Sequence, residues 1–112
     1  MFEDAYDTLV TELEGIVNLR VVTDPGNLVP PCVLVEAPSF LMQSGTVAEM
    51  DFNVMLIGLG VGGVRTLNGL LAQAALIQEA EIGLLDGRPT TANYAGTEYP
   101  AYQLTIKTRA SA

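Results

Sequence analysis

The chain has no histidine and one cysteine, Cys32, among its 112 residues. A single cysteine cannot form an internal disulfide, and without histidine there is neither a Cys/His metal cluster nor an imidazole base. Cys32 itself falls in an apolar stretch with no neighbouring base, which favours a small core residue over a nucleophile. These features exclude much common enzyme chemistry. We expect a protein that is not an enzyme and that uses no cofactor and no metal.

Basic residues are also scarce. The chain carries thirteen acidic residues against five basic ones, for a net charge of −8. The basic residues are Arg20, Arg65, Arg88, Lys107 and Arg109. Neutralising several phosphates requires clustered cations, so a role in wrapping or reading nucleic acid is not expected. An acidic surface would instead let DNA pass without adhering to it.

Long apolar runs are absent as well. The longest, residues 54–64 with the glycines counted, is far below the ~20 residues that cross a bilayer. The first seven residues are acidic where a secretory signal would be basic. The sequence therefore predicts a soluble protein without membrane contact, made in a cytoplasm. Its length corresponds to a single domain over residues 1–112.

Two stretches have the apolar spacing of amphipathic helices. Residues 2–17 repeat apolar side chains every three or four positions, and Glu3, Asp4 and Asp7 suit the positive end of a helix dipole. Residues 64–82 repeat the pattern with an apolar stripe that is expected to face a core. The stripe consists of Leu67, Leu70, Leu71, Ala74 and Ile77.

Four stretches have the composition of strands: residues 19–23, 32–37, 46–57 and 101–108. The third alternates apolar side chains with Glu49, Asp51 and Asn53, which predicts one wet face. Residues 38–46 and 88–99 are predicted to be loops. The resulting order α-β-β-β-α-β predicts an α+β, two-layer domain, with a mainly antiparallel sheet of about four strands and two helices.

Between the third strand and the second helix, Gly58, Gly60 and Gly63 match the dinucleotide fingerprint G-x-G-x-x-G. Asp86 lies close to where a ribose-binding acid is expected. However, the preceding strand is not apolar throughout, and too few residues follow Asp86 for the second half of such a site. A low-bulk corner between strand and helix is favoured, with dinucleotide binding as the alternative.

A second candidate site consists of Glu49 and Asp51, which share one strand face roughly 7 Å apart. Two carboxylates at this separation suggest paired acid chemistry or a metal. No third ligand is identifiable in the sequence, so a solvated strand face is favoured over both.

Taken together, several stretches resemble the tail terminator proteins of long-tailed bacteriophages, the minor tail protein U type, especially those of phages that infect actinobacteria. The similarity lies in the helix at 2–17, in Asp24-Pro25 and residues 30–35, in the strand 50–57 leading into 65–71, and in the closing stretch 99–106. It covers almost the whole chain and includes no catalytic signature. Other neck or head-tail connector proteins are of similar size and appearance.

The resemblance implies a virion protein at the neck-proximal end of the tail, assembled in the host cytoplasm. Such a protein forms a homohexameric ring on the tail-tube protein, stops tube growth and joins a head-tail connector or stopper protein, while DNA passes through without specific binding. From composition, we expect ring or axial contacts in the two predicted loops. The contact residues would be Phe40, Leu41, Met42, Arg88 and Tyr94. A small monomeric adaptor for a protein partner is a third possible class.

Overall fold

The computed structural model describes residues 1–59 and 63–111. Within these residues the chain forms two α-helices, six strands and one 3-10 turn, which confirms the α+β class. The elements are α1 (Phe2–Glu14), β1 (Val21–Val22), the 3-10 turn (Pro25–Asn27), β2 (Cys32–Val35), β3 (Ser39–Met42), β4 (Val47–Ile57), α2 (Val64–Glu79), β5 (Leu84–Tyr94) and β6 (Thr97–Ser111).

The six strands form one sheet, in which five follow the order β1-β2-β4-β6-β5 and β3 pairs with β4 beside them. β1 runs parallel to β2, and the other pairs are antiparallel. β4 is long enough to pair with two short strands in line: β2 pairs with its second half and β3 with Ala48–Asp51. Between them, the Glu36 amide donates to the Asn53 carbonyl oxygen. The crossover β4-α2-β5 joins two strands of the same direction with β6 between them.

Both helices pack on one side of the sheet, which we call the helix face. Alternation along β4 brings its apolar side chains to this face, where Met50, Phe52, Val54 and Leu56 are fully buried, as predicted. The helices cover them with residues at helical spacing. These residues are Leu9 and Leu13 from α1 and Leu70 and Ile77 from α2. The predicted two-layer arrangement is therefore confirmed.

The opposite side, the outer face, is covered over one end only. There, Cys32 and Ile57 belong to a second, smaller apolar cluster, with Tyr94 from the tip of the β5-β6 hairpin packed against it. Tyr94 also lines a cavity with Pro25 and Leu34, so the hairpin tip folds back across the sheet. Cys32 is a free, buried core residue, as predicted.

Two predicted loops are wrong in their secondary structure. Residues 88–99 form the turn end of a β-hairpin, which turns at Ala95 and Gly96, both with positive φ (55° and 78°). Residues 39–42 form β3, and β6 continues beyond the predicted end of the last strand, residue 108, to residue 111. The sheet thus has six strands rather than about four. The sequence did not reveal β3 and β5 because both lie at edges of the sheet and lack the alternation that marks a half-buried strand.

Candidate assembly surface

The β3 patch, defined as Phe40, Leu41 and Met42, is the first candidate contact surface. Its side chains are 55%, 68% and 43% exposed. Cross-strand pairs share a face, and Phe40 and Met42 pair with the buried residues Met50 and Ala48, whereas Leu41 pairs with Glu49. The patch therefore presents apolar side chains on both faces of one short strand.

β3 lies at an edge of the sheet and, within the described residues, pairs only with β4. Its helix-face side is touched by the start of α1, where Phe2 stacks on Phe40. The rest of the patch is open, and the strand carries no charge. An uncharged, apolar edge of this kind is what natural proteins normally cover or pair.

Arg88 and Tyr94, the other two predicted contact residues, lie in different places. Arg88 is exposed on β5, opposite Gln103 on the outer face. Tyr94 is half-buried at the hairpin tip. Burial, together with the nearby charges of Glu36 and Cys32, raises the pKa of the Tyr94 hydroxyl. The structure thus brings Phe40, Leu41 and Met42 together and places Arg88 on the far edge strand. Tyr94 instead shares a cavity with Pro38, which comes just before β3.

Sequence reasoning missed a second apolar surface, the α2 shoulder, which we define as Val64, Leu67 and Leu71. These residues are 73%, 40% and 45% exposed and follow the spacing i, i+3, i+7 along one flank of α2. The sequence had placed Leu67 and Leu71 in the core stripe. The width of the predicted stripe could have indicated an exposed apolar flank, because a helix packed on one face of a sheet buries only part of its circumference.

The α2 shoulder lies beside a part of the edge strand β5 that neither helix covers. Leu67 lines a cleft with Pro89 of β5 and Tyr102 of β6. On the same face, Gly87, Pro89 and Thr91 are all exposed. The helix layer therefore stops short of the last strand, which leaves an apolar step between α2 and β5.

Charge is distributed unevenly over the two faces. α1 carries five acidic residues and no basic one: Glu3, Asp4, Asp7, Glu12 and Glu14.

On the outer face, Lys107 lies between Glu49 and Asp51, with its Nζ 3.8 Å from Glu49 Oε2 and 3.9 Å from Asp51 Oδ1. The two carboxylates therefore share a cation from the neighbouring strand. Within residues 1–59 and 63–111, no group of three or more potential metal ligands is present.

The glycine corner does not have the layout of a dinucleotide site in the residues that can be described. Gly60 lies outside them. Gly58 follows β4, whose sheet neighbours are all antiparallel. A Cβ at Gly58 would approach Thr66 Cγ2 to 2.9 Å, a close contact that favours glycine. Asp86 and Asn53 both pair with Thr105, so they lie on the outer face at the same position along the strands. Asp86 lies roughly 17 Å along the strands from Gly58, on the face away from α2.

Neither described helix is long and apolar enough to span a bilayer. No protein-family model matches the chain, and a search of curated proteins gives no match.

Proposed function

We propose that this chain is a structural virion protein of a long-tailed bacteriophage, a tail terminator rather than an enzyme. In this role it forms a homohexameric ring at the head-proximal end of the tail tube, ends tube polymerisation and joins the tail to the head or neck. The observation that supports this most directly is the pair of exposed apolar surfaces on a small, acidic domain, because a ring subunit needs two contact surfaces.

The mechanism in this proposal is steric and interfacial. One ring face must match the last ring of the tube, while the other must fail to present the surface that recruits another tube subunit. The acidic helix α1 and the net charge of −8 suit a protein beside passing DNA, since like charge prevents adhesion. Another neck or head-tail connector ring would need the same features and is the nearest alternative.

A tube-growth assay tests the proposal. Tail-tube protein is polymerised with and without the chain, and tube lengths are measured by electron microscopy. A terminator shortens the tubes in proportion to its concentration and leaves density at one tube end. A chain that binds connector rings but leaves tube length unchanged would indicate the neck alternative.

Native mass spectrometry over a range of concentrations, with and without NAD, separates the ring from the other classes. A bare hexamer, or a series of oligomers that rises towards one, supports the ring. A monomer with stoichiometric NAD would support the dinucleotide alternative at Gly58 and Gly63. A bare monomer that also fails to bind tube ends would support the adaptor.

The contact role of the β3 patch can be tested in the same assays. Replacing Phe40, Leu41 and Met42 together with serine is expected to leave the fold intact and to abolish ring assembly. Because Phe40 also stacks on Phe2, a second variant with serine at Leu41 and Met42 alone retains that stack. Unchanged assembly on tubes by both variants would contradict the role.

A further inference from the structure

We propose that the β3 patch of one copy binds the α2 shoulder of the next copy, and that this single head-to-tail contact closes the ring. The inference rests on the proposed function and identifies the two halves of its subunit interface. Six of the ten large apolar side chains that are exposed within residues 1–59 and 63–111 belong to these two surfaces.

The two surfaces lie at opposite edges of the sheet. β3 pairs with β4 on the side that carries β2 and β1, whereas the shoulder overlooks β5, the last strand on the other side. A subunit can therefore use both surfaces at once. Contacts between two different surfaces on opposite sides repeat from copy to copy and form a ring when the rotation closes.

The surfaces also fit each other in form. The β3 patch is an uncharged strand edge, with Leu41 on one face and Phe40 and Met42 on the other. The shoulder is one wall of an apolar step whose floor is the bare strip around Pro89. A strand edge laid in that step would bury its apolar side chains against Val64, Leu67 and Leu71.

Charge around the two surfaces is complementary. On the helix-face side, acidic residues of α1 lie near the β3 patch: Glu3 and Asp4 follow Phe2 and are exposed, with Asp4 3.8 Å from the N-terminal ammonium. On the outer face, Glu49 opposite Leu41 is already paired with Lys107, so the excess negative charge near the patch comes from α1.

At the other edge of the sheet, Arg65 follows Val64 in α2, and Arg88 lies beside Pro89 on the outer face of β5; both are exposed. Within the described part of the chain, neither guanidinium makes an ion pair.

The same charges disfavour a symmetric contact between two β3 patches. Such a contact would bring the acidic border of one copy against that of another, and like-charge contacts oppose association. An acid-bordered surface facing an arginine-bordered one has the opposite effect. Opposite charges therefore favour the head-to-tail arrangement over a closed dimer.

Two complementary double variants test the contact. Leu41→Glu with Met42→Glu alters the β3 patch, and Val64→Glu with Leu71→Glu alters the shoulder. The matched control is Val17→Glu with Val29→Glu, which adds the same charge at apolar positions that are 76% and 51% exposed and lie outside both surfaces. One variant is labelled with ¹⁵N so that native mass spectrometry distinguishes the copies.

Each altered variant alone is expected to stay monomeric, with the concentration for half-assembly raised at least about thirtyfold, the effect of losing a contact of hot-spot strength. The control should assemble like the unaltered chain. An equimolar mixture of the two variants should give one-to-one heterodimers and nothing larger, because one intact β3 patch meets one intact shoulder and both free ends are altered.

Other outcomes overturn the pairing. Homodimers of the shoulder variant would indicate a symmetric β3 contact, and a mixture that stays monomeric would show that the two surfaces do not face each other. Normal assembly of either variant, alongside a hexamer of the unaltered chain, would refute this contact and leave the ring standing. An unaltered chain that neither oligomerises nor binds tube ends would remove both the contact and the proposed function.

Discussion

Phe2 in the first turn of α1 stacks on Phe40 in β3, with ring centroids 4.3 Å apart and ring planes inclined by 26°. β3 is four residues long and pairs on one side only within the described residues. The stack therefore links the start of the chain to an edge strand that otherwise depends on β4 alone. Phe40 serves the fold as well as the exposed patch, which distinguishes it from Leu41.

The stack should be measurable as a coupling between the two rings. Phe2→Leu and Phe40→Leu are each expected to lower the free energy of unfolding, and the double variant should lose less than the sum. An aromatic pair contributes about 0.5–1.5 kcal/mol beyond its buried area. Urea unfolding of the four proteins gives the value. Strict additivity would mean that the rings do not interact in solution, and Leu41→Ala, with an exposed side chain, serves as the neutral control.

The elements that could be predicted from the sequence are those that bury one face. α1 and β4 were predictable because each buries one face, which imposes a period of 3.6 or 2 on its apolar residues. β5 was not, because seven consecutive residues from Leu85 to Thr91 are exposed and carry no alternation. Its hairpin had a weaker local signal in the Ala95-Gly96 turn, where both residues adopt positive φ.

One of the two candidate surfaces could be predicted from the sequence. The apolar run at Phe40 stands out because it falls in a predicted loop, where no neighbouring element is expected to bury it. The α2 shoulder does not, since Leu70 and Leu71 are adjacent and identical in chemistry. Only the position of the helix on the sheet decides that one is buried and the other exposed.

Leu70 and Leu71 form a matched pair for testing that position. Leu70 is 4% exposed within the main core and Leu71 is 45% exposed on the shoulder. Leu70→Ala should lower the free energy of unfolding by about 2–5 kcal/mol because it leaves a cavity, whereas Leu71→Ala should change it by about 0.5 kcal/mol or less. Both are measured by urea unfolding at a concentration where the chain is monomeric. Equal losses would place α2 in a different orientation.

Gly83 and Gly69 are expected to respond to alanine in opposite directions. Gly83 has φ +98°, and a Cβ there would lie against the carbonyl oxygen of Lys107. Gly83→Ala should therefore cost about 2 kcal/mol or more, since left-handed backbone alone costs an L-residue about 1–2 kcal/mol. Gly69 lies within α2 with open space around it, so Gly69→Ala should stabilise the chain by about 0.5–1 kcal/mol. Thermal unfolding of both variants provides the measurement, and a stabilised Gly83→Ala would contradict the turn geometry.

Cys32 should make stability fall at alkaline pH. Burial raises the pKa of its thiol above the ordinary value of 9.0, outweighing the lowering by a backbone hydrogen bond at Val29 and by the charge of Arg20. Below pH 9 the thiol is protonated in both states, and its contribution is fully present. As the pH rises through 9, the thiol ionises in the unfolded chain first, so the folded state loses relative stability until the pH exceeds the folded pKa. One such group contributes a slope of at most about 1.4 kcal/mol per pH unit.

The control for this pH dependence is Cys32→Ala, which should lower stability at all pH values through the lost side chain but show a shallower decline above pH 9. Tyr94→Phe is needed beside it, because burial also raises the pKa of Tyr94 from its ordinary value of 10.0. Urea unfolding between pH 7 and 10.5, with a reductant present, separates the two, since the tyrosine begins to contribute about one pH unit later. Parallel curves for the unaltered chain and Cys32→Ala would mean that the thiol titrates alike in both states, which a fully buried position in the outer-face cluster does not allow.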